Sequence, residues 1–378
     1  MIITPITAEL IRGAAELEET GRGVRPHRLP AWAREQGDDP QLSMVEAETS
    51  GVRLEFRTRA SVIELEALPT RRGMIGMPQR PKGVYDLVVD GRLAGQATVD
   101  DATFISIDMT TGARTVTEAA PGTIRFGDLG DTLKDVVIWL PYLESTELVE
   151  LRTDEPVLPA PAGDRPVWLH HGSSISHGSN AANPTGVWPA IAAAAAGHDL
   201  INLGLGGSAM VDPFTARTIR DTPADLISVK LGINVVNADA MRMRAFRPAV
   251  HGFLDTVRDG HPDTPLLVVS PILCPIHEDT PGPGAIDVEA LRAGELKYTA
   301  TGQGQLTLRM IRAELARIVA QRAEHDHHLY YLDGLDLYGE PDATRHPLPD
   351  RLHPDTATHR LIGERFTERA PATGWRPA

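Results

Sequence analysis

The feature that most restricts the fold of this chain is a change in hydrophobic texture near residue 160. Beyond it, short apolar runs recur: "PVWLHHG", "DLINLGLGG", "DLISVKLGIN", "PLLVVSPI" and "LYYLDGLDLYG". Runs without polar alternation are strands buried on both faces, which is the environment of a parallel sheet covered by helices. The stretches between them, such as "GVWPAIAAAAAG", "MRMRAFRPAVHGFLDTVRDG" and "GQLTLRMIRAELARIVAQRA", are long and helix-prone enough to be the crossover helices. Upstream the pattern differs. "GVRLEFRTRASVIELEAL", "VYDLVVDGRLAGQATV" and "DVVIWLPYLESTELVEL" alternate apolar and polar residues, as half-buried strands do, and Asp90-Gly91 is a hairpin signal. Many short strands with turn residues between them predict a β-sandwich. "TDEPVLPAPAGDRP" interrupts both patterns with prolines, so the expected division is a sandwich over 1–160 and an α/β domain over 161–378. A length of 378 residues supports two cores, domains usually running to about 100–200 residues.

Composition removes several function classes. The net charge of −14, with no Lys/Arg run, argues against a nucleic-acid surface. No stretch approaches the roughly 20 apolar residues that span a bilayer, so no membrane partner is expected. The first residues, "MIITPITAELIRG", lack a basic segment followed by an apolar core, so no secretory signal is expected. A single cysteine, Cys274, excludes an internal disulfide and suits a reducing compartment; a cytoplasmic location is the expectation.

In open parallel sheets, ligands bind at the carboxyl ends of the strands. Gly172-Ser173-Ser174 follows the first predicted strand of the second half, Asn202-Leu203-Gly204-Leu205-Gly206-Gly207-Ser208 the second, and Leu231-Gly232-Ile233-Asn234 the third; Asp350-Arg351-Leu352-His353 stands near the C-terminus. Taken together over residues 165–370, these resemble the four blocks of the GDSL, or SGNH, hydrolase family. The resemblance implies a flavodoxin-like three-layer α/β/α domain that catalyses serine-dependent acyl transfer. It makes Ser174 the nucleophile, His353 its base and Asp350 the carboxylate that orients His353. It assigns the oxyanion hole to the backbone N–H groups of Ser174 and Gly207 and the side-chain amide of Asn234. Two positions depart from the pattern: Ser173 replaces the Asp of Gly-Asp-Ser-Leu, and Val235 replaces the Asp of Gly-x-Asn-Asp. On sequence alone Ser173 and Ser176 are rival nucleophiles, with the register of Gly172 and Ile175 favouring Ser174.

A sandwich ahead of such a domain resembles the carbohydrate-binding-module, jelly-roll arrangement of carbohydrate-active members. The overall layout, including "LPAWAREQ" and "FGDLGD", resembles two-domain actinobacterial members. That resemblance implies an O-acyltransferase acting on a sugar hydroxyl of a glycosylated small molecule, as in antibiotic biosynthesis, with a CoA thioester as acyl donor and no cofactor. The same triad would serve a carbohydrate or small-ester esterase, and a non-catalytic carbohydrate-binding protein is a third reading. His177 and Cys274 are possible substrate contacts. His325, Asp326, His327 and His328 are read as a solvated loop rather than a metal site, Trp32, Tyr85, Trp139 and Tyr142 as core aromatics rather than sugar platforms, and 277–304 as a lid, a substrate wall or a surface excursion.

Overall fold

In "VIELEAL" the alternation is read directly: Ile63, Leu65 and Ala67 are fully buried, whereas Glu64 and Glu66 face outward and pair with Arg125 and Arg152. This strand, Ile63–Met74, pairs antiparallel with Ser145–Thr153 and Gly122–Phe126 and parallel with Thr103–Ile107, in an eight-stranded sheet. A six-stranded sheet is built around Arg53–Thr58, Lys134–Trp139 and Tyr85–Val89, the last turning through Asp90-Gly91, both at positive φ, into Arg92–Ala97. The two sheets form a β-sandwich with one core, to which Leu54, Phe56, Val136 and Ile138 contribute from one side and Ile63, Leu65, Leu148 and Leu151 from the other. Tyr85 and Tyr142 are buried, and Trp139 lies under the guanidinium of Arg53.

The structure is a computed structural model that describes residues 1–77, 79–108, 111–160, 163 and 165–377. The chain divides into two compact units, the sandwich unit of Met1–Pro30, Glu46–Asp164 and Ala182–Thr185, and a second unit of Ala31–Val45, Arg165–Ala181 and Gly186–Ala378. The boundary expected at 160/161 falls beside Pro161, Ala162 and Asp164, which lie outside the described residues.

The second unit holds a five-stranded parallel sheet in the order Asp199–Gly204, Val167–Gly172, Leu226–Lys230, Leu266–Val269, Leu329–Leu332. Numbered along the chain this is 2-1-3-4-5, the flavodoxin-like winding. Alternation on the first strand sends neighbouring side chains to opposite layers. Trp168 stacks on Phe366 and packs near Trp188, from the helices Thr356–Ala372 and Trp188–Ala196; His171 stacks on Phe253, from the helix Met243–Gly260. Residues upstream of the sandwich's main strands add two helices to this unit, α1 (Ala31–Gly37) and the greater part of α2 (Pro40–Ala47). Trp32 of α1 lies under the guanidinium of Arg217 from the helix Pro213–Asp221. Among the described residues no helix is long and apolar enough to cross a membrane.

Candidate active site

The first strand ends at Gly172, and the chain turns at once into α3 (Ser174–His177). A side chain at Gly172 would collide with Ser176 Oγ, so only glycine allows so tight a turn here. The three serines that follow have different environments. Ser173 is fully buried and caps α3, its Oγ accepting from Ile175 N–H. Ser176 is also fully buried, its Oγ 2.7 Å from His170 Nε2, while His170 Nδ1 lies 2.7 Å from Ser228 Oγ. Burial holds His170 well below the usual histidine pKa, so this second Ser–His pair is a neutral core contact. Ser174 alone of the three is partly exposed, and its Oγ lies 2.9 Å from His353 Nε2.

His353 Nδ1 donates to Asp350 Oδ2 at 2.7 Å, which leaves Nε2 as the acceptor for the Ser174 hydroxyl. Asp350 is committed throughout: Oδ1 accepts the backbone N–H groups of Leu352 (2.9 Å) and His353 (2.7 Å), and Oδ2 also accepts from Asn180 Nδ2 at 3.2 Å. Burial pushes the Asp350 carboxyl up, but the hydrogen bond and charge of His353 and the backbone donors outweigh it, and its pKa lies below the ordinary aspartate value. The carboxylate is thus held ionised to orient the ring and to stabilise an imidazolium.

Three donors that the resemblance assigns to the oxyanion hole have no hydrogen-bond partner among the described residues. Asn234 opens the short helix Ile233–Asn237 after the third strand; its Oδ1 accepts Ala209 N–H at 3.1 Å, and Nδ2 donates to nothing among the described residues. The backbone N–H groups of Ser174 and Gly207 likewise donate to no described group. The Gly206-Gly207 turn lies against the serine, since a Cβ added at Gly206 would be 3.7 Å from Ser174 Cβ, and Gly207 has φ +75°. Two residues at this site adopt the left-handed region without being glycine: Asn180 (φ 68°), which bonds Asp350, and Arg351 (φ 68°), which follows it. Such strain persists only where surrounding contacts impose it.

The other predicted positions lie as follows. His177 is buried and bonded through Nδ1 to Gly204 O at 3.0 Å. Cys274 is fully buried, its Sγ 3.6 Å from Arg351 O, and burial pushes the thiol up to about 12. Val235, where the family pattern has Asp, is a core residue. Among the described residues no three His, Cys, Asp or Glu side chains are grouped to hold a metal; His325, His327 and His328 are exposed and Asp326 pairs with Arg258. The segment 277–304 forms a two-stranded hairpin, Gly284–Ile286 with Tyr298–Ala300, docked on the triad loop. Tyr298 N–H donates to Asp350 O at 3.0 Å, its ring meets His353 edge-on with centroids 5.7 Å apart, and Asp287 binds Arg351 at 2.7 Å. Asn180 and Tyr298 had no sequence signal, because neither stands at a strand end or at a recognisable spacing from the triad.

The geometry matches what the comparisons find. The GDSL-like lipase/acylhydrolase family model matches residues 171–361, just over half of the chain. Among solved structures the chain is similar to salicylyl-acyltransferase SsfX3 from a tetracycline biosynthetic pathway, with 26% identity, coverage of 96% of this chain and 94% of that one, and a TM-score of 0.80. It shares its fold with a candidate GDSL-like lipase from Bacteroides ovatus (18% identity, 98% and 97% covered, TM-score 0.68). It does so too with a family two carbohydrate esterase from Clostridium thermocellum (16% identity, 86% and 94% covered, TM-score 0.58). No curated protein matches. The turn-borne serine, the paired histidine and aspartate and the matched segment that contains them agree, and the chain belongs to the GDSL-like lipase/acylhydrolase family of enzymes.

Proposed function

We propose that the protein is an O-acyltransferase that passes an acyl group, through an acyl-Ser174 intermediate, to a sugar hydroxyl of a glycosylated small molecule. The observation that carries the reading is the hydrogen-bonded series Ser174 Oγ, His353 Nε2, His353 Nδ1, Asp350 Oδ2. In the first half-reaction His353 Nε2 takes the Ser174 proton as Oγ attacks the donor carbonyl carbon. The negative oxygen of the tetrahedral intermediate is met by the N–H groups of Ser174 and Gly207 and by Asn234 Nδ2. Collapse breaks the bond to the leaving thiolate or alkoxide, which receives the proton from His353. In the second half-reaction His353 deprotonates the acceptor hydroxyl, whose oxygen attacks the acyl carbon; the bond to Ser174 Oγ then breaks and His353 returns the proton to that oxygen.

A CoA thioester is the proposed donor, bound as a substrate, and no cofactor takes part. The preference for transfer is supported by the similarity to SsfX3 along nearly the whole of both chains. The hairpin that places Tyr298 against His353 also favours it, because a wall there limits the approach of water to the acyl-enzyme. The test supplies an acyl-CoA or p-nitrophenyl acetate together with a methyl glycoside and follows acylated sugar and free acid by mass spectrometry. Serine-dependent formation of acylated sugar is expected. Free acid alone, at every acceptor concentration, would make the protein an esterase, and no Ser174-dependent release of the leaving group would reduce it to a binding protein.

A further inference from the structure

The Gly207 N–H can serve an oxyanion only if its peptide plane is held, and two consecutive glycines are a poor means of holding it. Glycine carries no Cβ to bias φ and ψ, so a flip of the Gly206-Gly207 peptide is inexpensive in the turn itself. The restraint comes from far upstream in the chain. Gln41, on α2, donates through Nε2 to Gly206 O at 3.0 Å, and Val45, one helical turn further on the same face, lies 3.6 Å from where a Gly206 Cβ would be. Asp39 anchors the start of this helix, accepting Leu42 N–H at 2.8 Å and binding Ser43 through its carbonyl.

We propose that Gln41 is a positioning residue of the oxyanion hole, its amide holding the Gly206 carbonyl so that the Gly207 N–H faces the acyl oxygen. The inference rests on the acyl-transfer reading of Ser174. Its physics is that of the planar trans peptide, in which the C=O of residue 206 and the N–H of residue 207 point in opposite directions on one rigid unit, so fixing the first aims the second. A hydrogen bond at the carbonyl also polarises the peptide and makes its N–H a stronger donor. Gln41 lies outside residues 171–361, so the segment 31–45 brings to this unit a part of the site that the family-matched region does not encode.

Gln41→Met keeps the length of the side chain and removes the donor, and Gln41→Lys restores an N–H donor; the position is exposed, so neither change disturbs a core. Each is compared with wild type and Ser174→Ala for kcat and KM on p-nitrophenyl acetate and for the Ki of an alkylboronic acid, which forms a tetrahedral adduct on the serine. A neutral hydrogen bond of this kind is worth roughly threefold to tenfold. Gln41→Met should lose that factor in kcat and in boronate affinity alike, with KM unchanged, and Gln41→Lys should recover most of it. Unchanged kcat and Ki in Gln41→Met, with Ser174→Ala inactive, would overturn the positioning role alone, as would a loss confined to KM. Full turnover by Ser174→Ala would instead overturn the reading of the site on which the inference depends.

Discussion

Asn234→Ala separates two tasks carried by one side chain. Its Oδ1 accepts Ala209 N–H at 3.1 Å, which fixes the amide plane and leaves Nδ2 as the unspent donor. Removing one preorganised oxyanion donor costs about 2.7–4 kcal/mol of transition-state stabilisation, a factor of roughly 10²–10³ in kcat. The same change orphans the backbone N–H of Ala209, which is 2% exposed, and an unsatisfied buried donor costs about 1–3 kcal/mol of folding stability. A domain with a margin of about 5–15 kcal/mol still folds after such a loss. The assay pairs p-nitrophenyl acetate kinetics with urea unfolding of the same samples. The expected result is a kcat at least about a hundredfold down with little change in KM, together with a modest fall in the urea midpoint. A kcat within about threefold of wild type, in protein that shows the stability loss, would refute the assignment of Nδ2 to the oxyanion.

Three further substitutions have defined outcomes. His353→Ala should reduce turnover to the level of Ser174→Ala, whereas Asp350→Ala should be milder, because His353 keeps Nε2 toward Ser174 and loses only its orienting partner; equal kcat in Asp350→Ala and wild type would contradict the coupling. Lys230, fully buried at the end of the third parallel strand with Nζ lacking a hydrogen-bond partner among the described residues, has its pKa lowered from 10.5 to about 8 by burial. Between those values the unfolded chain holds a proton that the folded one lacks, so stability rises with pH from about 8 to about 10.5, and below that window the folded state bears a penalty. At about 1.4 kcal/mol per pKa unit the penalty is about 3 kcal/mol. Lys230→Met should therefore be more stable than wild type at pH 7 and lose the alkaline rise, as urea unfolding at pH 7 and pH 10 would show.

What could be read from the sequence was whatever is written locally. Ile63, Leu65 and Ala67 alternate with glutamates, and Trp168 to His171 form an unbroken buried run, so both sheets were legible from period alone. Ser174, Asp350 and His353 were named through the resemblance to the four family blocks, and the strand-end rule added only that the blocks after parallel strands stand where ligands bind. The register of Gly172 and Ile175 favoured Ser174 over Ser173 and Ser176, but the reason the rivals are silent was not legible: it depends on His170 pointing into the layer that holds Ser176 and Ser228. Nor was the role of α1 and α2. Gln41 meets Gly206 across 165 residues of sequence, and nothing in the local pattern of "PQLSMVEA" separates a helix of the second unit from one that belongs with the sandwich. His177 and Cys274, named as possible substrate contacts, are buried and bond Gly204 O and Arg351 O, contacts that no local sequence pattern announces.

In the proposed reaction Ser174 carries the acyl group. Wild type and Ser174→Ala are mixed with p-nitrophenyl acetate, quenched in acid, and examined by intact mass and peptide mapping. The expected result is an acetyl adduct on the peptide containing Ser174, mapped to that residue, with neither adduct nor nitrophenol release in Ser174→Ala. An adduct on Ser173 or Ser176, or undiminished release by Ser174→Ala, would contradict it.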